Sequence, residues 1–180
     1  PLFIFDSTIL GQLENKSDRR VQFIHQEITQ LSHTLNAEYK ATLLCYYGEP
    51  LSVWKTILSE YTVEAVYTNH DFEPYAIKRD NAVQELLAEQ TIPYNTYKDH
   101  DVFEKSEVTK DDGLPYTVFT PYSKKWRAKL NAFYARSYPT LKYAANFLKI
   151  DTVAIPSLAV MGFSATVFEF PKRVVSSSVV

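Results

Sequence analysis

The sequence predicts a doubly wound α/β fold built on a parallel, Rossmann-like sheet, and three observations carry that prediction. A short continuous apolar run at residues 2–5, as a strand buried on both faces shows, is followed by further strand-like stretches at 41–47, 63–67 and 93–97. Between them lie stretches whose apolar residues recur at steps of three and four, the period of a helix packed on one side. The first three runs end in polar or turn-forming residues, Asp6, Gly48 and the cluster at 68–71. Strands alternating with helices of ten to twenty residues describe a parallel sheet with helices on both faces and right-handed crossovers.

The first run, Leu2 to Phe5, closes on Asp6. A helix follows, capped by Ser17 or Asp18, with Val21, Ile24, Ile28, Leu31 and Leu35 as its apolar stripe. The second strand breaks at Gly48. Glu49-Pro50 opens a second helix with proline in its first turn, and Leu51, Trp54, Leu58 and Tyr61 form its expected buried face. A third strand leads into Thr68-Asn69-His70-Asp71, and a third helix points Ala76, Val83, Leu86 and Leu87 inward. The fourth strand comes next. After residue 104 the alternation stops, which sets an α/β domain at 1–104 and an extension and interdomain linker at 105–180. Within the extension, residues 121–138 read as a helix rich in aromatics and lysines. The final residues, 174–180, carry no turn signal or cap and read as chain continuing into a further domain.

Composition narrows the function classes. The net charge of −2 provides no global field for a polyanion, so a nucleic-acid surface has to be local or elsewhere. The single cysteine, Cys45, lies in an apolar run and reads as a small buried hydrophobe. With no disulfide framework within the chain, the expected compartment is the cytoplasm. No apolar stretch approaches the ~20 residues of a membrane span. His25, His33, His70 and His100 are scattered without metal-ligand spacing, so no metal site is expected. A glycine-rich phosphate loop and a GxSxG elbow are both missing.

In doubly wound folds, ligands bind beyond the carboxyl ends of the strands. The segment Asn69-His70-Asp71-Phe72-Glu73 places an asparagine and two carboxylates there. These groups can accept hydrogen bonds from a heterocycle, or they can cap the following helix, and Arg79-Asp80 can be a structural ion pair. The stretch from Pro115 to Trp126 interleaves aromatics with two lysines. It can stack bases and meet phosphates, or pack the linker helix onto protein.

These stretches resemble the photolyase and cryptochrome family. The matching features are Leu2-Phe3-Ile4-Phe5-Asp6 followed by Ile9-Leu10, and Asn69-x-Asp71-x-Glu73-Pro74-Tyr75-Ala76 followed by Arg79-Asp80. Above all they include Gly113-x-Pro115-Tyr116-x-Val118-Phe119-Thr120-Pro121-Tyr122 with Trp126, then Pro156-x-Leu158 and Met161-Gly162-Phe163. The resemblance implies the antenna-binding part of a deoxyribodipyrimidine photo-lyase, a carbon-carbon lyase that repairs pyrimidine dimers in light. A further FAD-binding domain would meet UV-damaged DNA, and the fragment alone is expected to be inactive. Asp6, Arg20, Asp71 and Glu73 match positions lining a deazaflavin-type antenna pocket, with Asn69 beside them. An 8-hydroxy-5-deazaflavin chromophore is therefore favoured over methenyltetrahydrofolate or FMN, and Tyr75-Ala76 stands where folate-binding members have Asn-Glu. The resemblance also implies that the family's first strand, central in the sheet, is absent from the chain. The sheet should then be interrupted there, or re-pair. A cryptochrome photoreceptor is one alternative, and a stand-alone nucleotide-binding α/β module is another.

Overall fold

The computed structural model describes residues 1–98, 100–150 and 153–171. Residues 174–180 lie outside the described ones. The chain divides into two compact units, one of Pro1–Val53 with the chain from Leu141 onward, the other Trp54–Thr140. Among the described residues, four strands form two two-stranded parallel sheets, one in each unit.

In the first unit, β1 (Leu2–Asp6) pairs with β2 (Leu44–Gly48), in register from Leu2 opposite Leu44 to Asp6 opposite Gly48. Alternation along a strand puts Phe3, Phe5 and Cys45 on one face. Helix α2 (Arg19–Tyr39) covers it, capped by Asp18, whose side chain accepts from the Arg20 backbone N–H. One buried cluster joins Phe5, Val21, Met161 and Phe163, and another joins Leu35, Ala41, Leu43 and Cys45, with Phe3, Ile28 and Ile155 packed against both. The valine, leucine, phenylalanine and methionine side chains among them contribute about 1.5–3 kcal/mol each when fully buried. The structure corrects the expected stripe: Val21, Ser32 and Leu35 are buried, whereas Ile24 and Leu31 are exposed. The face that meets β1 runs through positions 21, 25, 28, 32 and 35, so Ile24 and Leu31 fall on its flank.

Three further differences have local causes. A short helix, α1 (Ser7–Gly11), follows β1 because the Asp6 carboxylate accepts from the Thr8 N–H at 2.8 Å. The second strand starts at Leu44 rather than Ala41, because Lys40 adopts the left-handed conformation. Thr42 then bonds to the carbonyls of Leu148 and Ile150 instead of to β1. Helix α3 (Pro50–Glu60) is capped by Glu49, whose carboxylate accepts from the Leu51 and Ser52 N–H groups. Its buried positions are Pro50, Val53 and Ile57, and the expected Leu51, Trp54, Leu58 and Tyr61 are only half-buried.

In the second unit, β3 (Val66–Asn69) pairs with β4 (Tyr94–Tyr97), Val66 opposite Tyr94 and Asn69 opposite Tyr97. Helix α4 (Pro74–Glu89) buries Ala76, Val83 and Leu87, while Leu86 is half-buried. Past a 3₁₀ turn at Lys105–Glu107, the expected helix over 121–138 forms as two, α5 (Phe119–Lys129) and α6 (Ala132–Ala135). The break falls where Leu130 is extended and the Asn131 side chain caps α6 through the Phe133 N–H. No helix among the described residues is long and apolar enough to cross a membrane.

Candidate functional site

Beyond Asn69 the backbone of β3 continues one residue past the ladder, and the His70 N–H donates to the Tyr97 carbonyl at 2.6 Å. Asp71 then turns the chain, its carboxylate accepting from the Glu73 N–H at 3.0 Å. Glu73 occupies the cap of α4 with no side-chain hydrogen bond to the helix, and Pro74 begins the first turn. Thus Asp71 takes the local turn-forming role and leaves the Glu73 carboxylate uninvolved in the cap.

The His70 ring is held from both sides. Nδ1 lies 2.8 Å from the Glu104 carboxylate and Nε2 lies 2.9 Å from the Thr96 hydroxyl. With Nδ1–H donating to the carboxylate, Nε2 accepts from the hydroxyl, which satisfies the neutral imidazole at both nitrogens. Glu104 is itself positioned by Glu107, whose carboxylate accepts from the Glu104 N–H at 2.7 Å and pairs with Lys98. Lys98 and the Glu104 N–H hold the Glu107 carboxyl below the ordinary glutamate range.

A cavity of about 510 Å³ opens beside these groups, lined in part by Asn69, His70, Asp71, Asp80, Tyr94 and Glu104. Burial, and then the Asp80 charge, push the Tyr94 phenol up to about 12, so it remains a hydrogen-bond donor at any physiological pH. Asp80 is paired with Arg79 at 2.8 Å, the structural ion pair that the sequence allows. Asn69, His70 and Asp71 also line a second, more polar recess of about 400 Å³ with Tyr67, Arg79 and Tyr97. There the Tyr67 and Tyr97 rings stack with centroids 6.4 Å apart. Carboxylate and amide acceptors, one phenol and a pair of rings suit a planar heterocycle bearing N–H or hydroxyl groups.

Of the five residues expected to line a ligand, Asn69 and Asp71 line both recesses, and Glu73 follows them at the helix start. Asp6 and Arg20 belong to the other unit. Asp6 is buried as the cap of α1. Arg20 is exposed and grips Asp18, which its hydrogen bonds hold down at about 2. Sequence reasoning missed His70 and Glu104. The signals were an aromatic base inside the polar cluster, and two glutamates three residues apart at 104 and 107, the spacing of a capping box. Among the described residues no group of histidines, cysteines and carboxylates is placed to hold a metal ion.

Residues 1–142 match the family model described as DNA photolyase. A deoxyribodipyrimidine photo-lyase of Alkalihalophilus pseudofirmus is 45% identical over 64 residues, 36% of this chain and 13% of that protein. One from Halobacterium salinarum is 24% identical over 163 residues, 91% of this chain and 33% of that protein. Cryptochrome-1 of Drosophila melanogaster is 24% identical over 125 residues, 66% of this chain and 23% of that protein. The crystal structure of a class III photolyase from Agrobacterium tumefaciens superposes with a TM-score of 0.57 at 22% identity, over 71% of this chain and 25% of that one. The matched lengths amount to a third or less of these relatives.

Proposed function

The chain belongs to the DNA photolyase family, and from that premise we propose that it is the antenna-holding α/β part of a deoxyribodipyrimidine photo-lyase. The family match over residues 1–142 carries the reading, and the Asn69–Asp71 turn at the strand ends supports it. In this proposal the whole protein repairs pyrimidine dimers in UV-damaged DNA, using FAD held outside this chain. The chain by itself is inactive in repair.

The proposed ligand is an 8-hydroxy-5-deazaflavin chromophore, which when bound absorbs light and passes the excitation to the flavin. The second unit fits it. Asn69 and Asp71 offer acceptors to ring N–H or ribityl hydroxyl groups, Tyr94 offers a donor, and the 510 Å³ cavity is of ligand size. Glu73 adds a carboxylate that the helix cap does not use. Asp6 and Arg20, which lie in the other unit, rest on the resemblance alone: Asp6 accepts from the Thr8 N–H and Arg20 pairs with Asp18. The chain's residues bind and orient the chromophore, while the photochemistry belongs to the cofactors.

The absorption spectrum of the purified parent protein tests the ligand, because deazaflavin, folate and flavin antennas absorb at different wavelengths. A spectrum of flavin alone would overturn it. Repair of a dimer-containing oligonucleotide under blue light tests the activity. A parent that binds FAD without repairing would instead be a cryptochrome, the reading that the match to Drosophila Cryptochrome-1 favours.

A further inference from the structure

The parallel pairing of β3 with β4 sets Thr68 opposite Thr96. Side chains two apart on a strand share a face, so Tyr94 and Thr96 point to one side of the pair. His70 continues the ladder one residue past the end of β3, two positions beyond Thr68, and comes to that same side. There the Thr96 hydroxyl lies 2.9 Å from Nε2 of His70, and the Glu104 carboxylate lies 2.8 Å from Nδ1. With Nδ1–H donating to the carboxylate, Nε2 keeps its lone pair and the Thr96 O–H donates into it. A hydroxyl, a base and a carboxylate that orients the base are the three parts of an activated nucleophile.

Exposure is graded in the order that this chemistry needs. The Glu104 side chain is 13% exposed and that of His70 is 33% exposed, while Thr96 is exposed. The carboxylate therefore stands at the back and the hydroxyl on the open side. Glu104 is itself held in place, its N–H donating to the Glu107 carboxylate that pairs with Lys98. Thr96, His70 and Glu104 all line the cavity of about 510 Å³, together with Tyr94 and the apolar side chains of Phe72 and Ile77. Its wall also sets Asp71, Asp80 and Asp101 against Lys105, a balance that disfavours an acidic substrate.

We propose that this cavity hydrolyses small uncharged aryl esters, with Thr96 as nucleophile, His70 as general base and acid, and Glu104 as the residue that positions the imidazole. The Thr96 oxygen attacks the ester carbonyl carbon as its proton passes to Nε2, and the Tyr94 phenol donates to the oxyanion that forms. The bond from that carbon to the aryl oxygen then breaks, and Nε2–H gives its proton to the departing oxygen. Water adds to the acyl-threonine while its proton passes to Nε2, and the Thr96 oxygen leaves with that proton. Ester and water become acid and phenol, with no other co-reactant. The inference shares its cavity with the proposed chromophore and does not rest on it, since it needs no flavin, lesion or light.

The test is release of p-nitrophenol from p-nitrophenyl acetate by this chain in the dark, with the acetylated peptide located by mass spectrometry. Saturable hydrolysis with a transient acetyl group on Thr96 is expected. Thr96→Val should lower kcat about a hundredfold, as should His70→Gln, and Thr96→Ser should retain hydrolysis. Glu104→Gln should lower kcat with little change in KM, because it acts through His70. His33→Gln, at an exposed imidazole on α2, should leave the rate unchanged. A p-nitrophenyl ester with a carboxylate on its acyl chain should react more slowly. Absence of saturable hydrolysis, parent-like hydrolysis by Thr96→Val, acetyl transfer to other residues alone, preference for the acidic ester, or equal losses in His33→Gln and His70→Gln would each overturn the proposal. Thr96 is exposed and valine suits a strand, so circular dichroism of Thr96→Val should be that of the parent chain. That variant decides the matter even if His70→Gln fails to fold. Chromophore binding is read separately by absorbance, so a failure of hydrolysis leaves the antenna reading standing.

Discussion

His70 and Glu104, thirty-four residues apart, meet at 2.8 Å through the imidazole Nδ1 and a carboxylate oxygen. The contact ties the end of β3 to the turn after β4, and the Thr96 hydroxyl braces the other side of the ring. Both residues line the cavity that Asn69 and Asp71 also line. A hydrogen-bonded pair of this kind sets the shape of a recess by holding its rim in one place.

Replacing His70 with Ala should remove both hydrogen bonds and leave the half-buried Glu104 carboxylate without its partner. A destabilisation of about 1–2 kcal/mol is expected. The urea midpoint of unfolding measures it, and an unchanged midpoint would show that the pair holds nothing.

Asp71→Ala should weaken binding of 8-hydroxy-5-deazaflavin about tenfold, the scale of one lost charge-assisted hydrogen bond. Asn69→Ala should act in the same direction. Absorbance titration of the chain with the chromophore reads both effects.

Glu107 has its carboxyl held low by Lys98 and the Glu104 N–H. A carboxyl lowered in the folded state stabilises fully above its unfolded value, and the contribution is lost as pH falls through the folded value. The fold around Trp126 should therefore loosen in acid below the ordinary glutamate range, and Glu107→Gln should show the loosening already at neutral pH. Trp126 fluorescence in a Trp54→Phe background reports it. The pair is half-exposed, so salt should reduce the difference.

Cys45 is buried in the second core cluster, and burial pushes its thiol up to about 11. At pH 8 only about one molecule in a thousand carries the thiolate. Reaction with a disulfide reagent should be slow in the folded chain and fast in urea. The sign for stability is opposite to that of Glu107, because a raised thiol is favoured when protonated: its contribution is fully present below the unfolded value and is lost as pH rises through the folded value.

Gly162→Ala should destabilise the first unit by about 1–2 kcal/mol. Gly162 has φ of +79° in the turn between Met161 and Phe163, both of them buried against Phe5 and Val21. Thermal unfolding measures it, and Ser164→Ala, at an exposed position nearby, is expected to cost less.

The α/β alternation was legible because apolar period reports which side of an element is covered. Asp18, Glu49 and Pro50 announced two helix starts by cap chemistry, and both start within a residue of where they were read. The α2 face was misread at Ile24 and Leu31 because both fit a helical stripe, yet His25 and Ser32 occupy the covered side. A polar residue on a buried face is invisible to a hydrophobic count when its partner lies far off in sequence. For His25 that partner is the Pro156 carbonyl, 131 residues away. The polar turn at the end of β3 was legible as a candidate site because polar residues clustered at a strand end, but the part of Glu104 was not, since it depends on a distance to His70.

The sequence by itself determined the fold class, the cap residues, the buried character of Cys45 and the polar turn at Asn69–Asp71. These depend on near neighbours, through the period of side chains along a helix or strand and the local hydrogen bonds of caps. Only the tertiary structure decided that the strands stand as two parallel pairs and that His70 answers Glu104. It also decided that the Thr96 hydroxyl meets the other nitrogen of the same ring. Those outcomes depend on strand pairing and on contacts between residues distant in the chain, which no local pattern encodes.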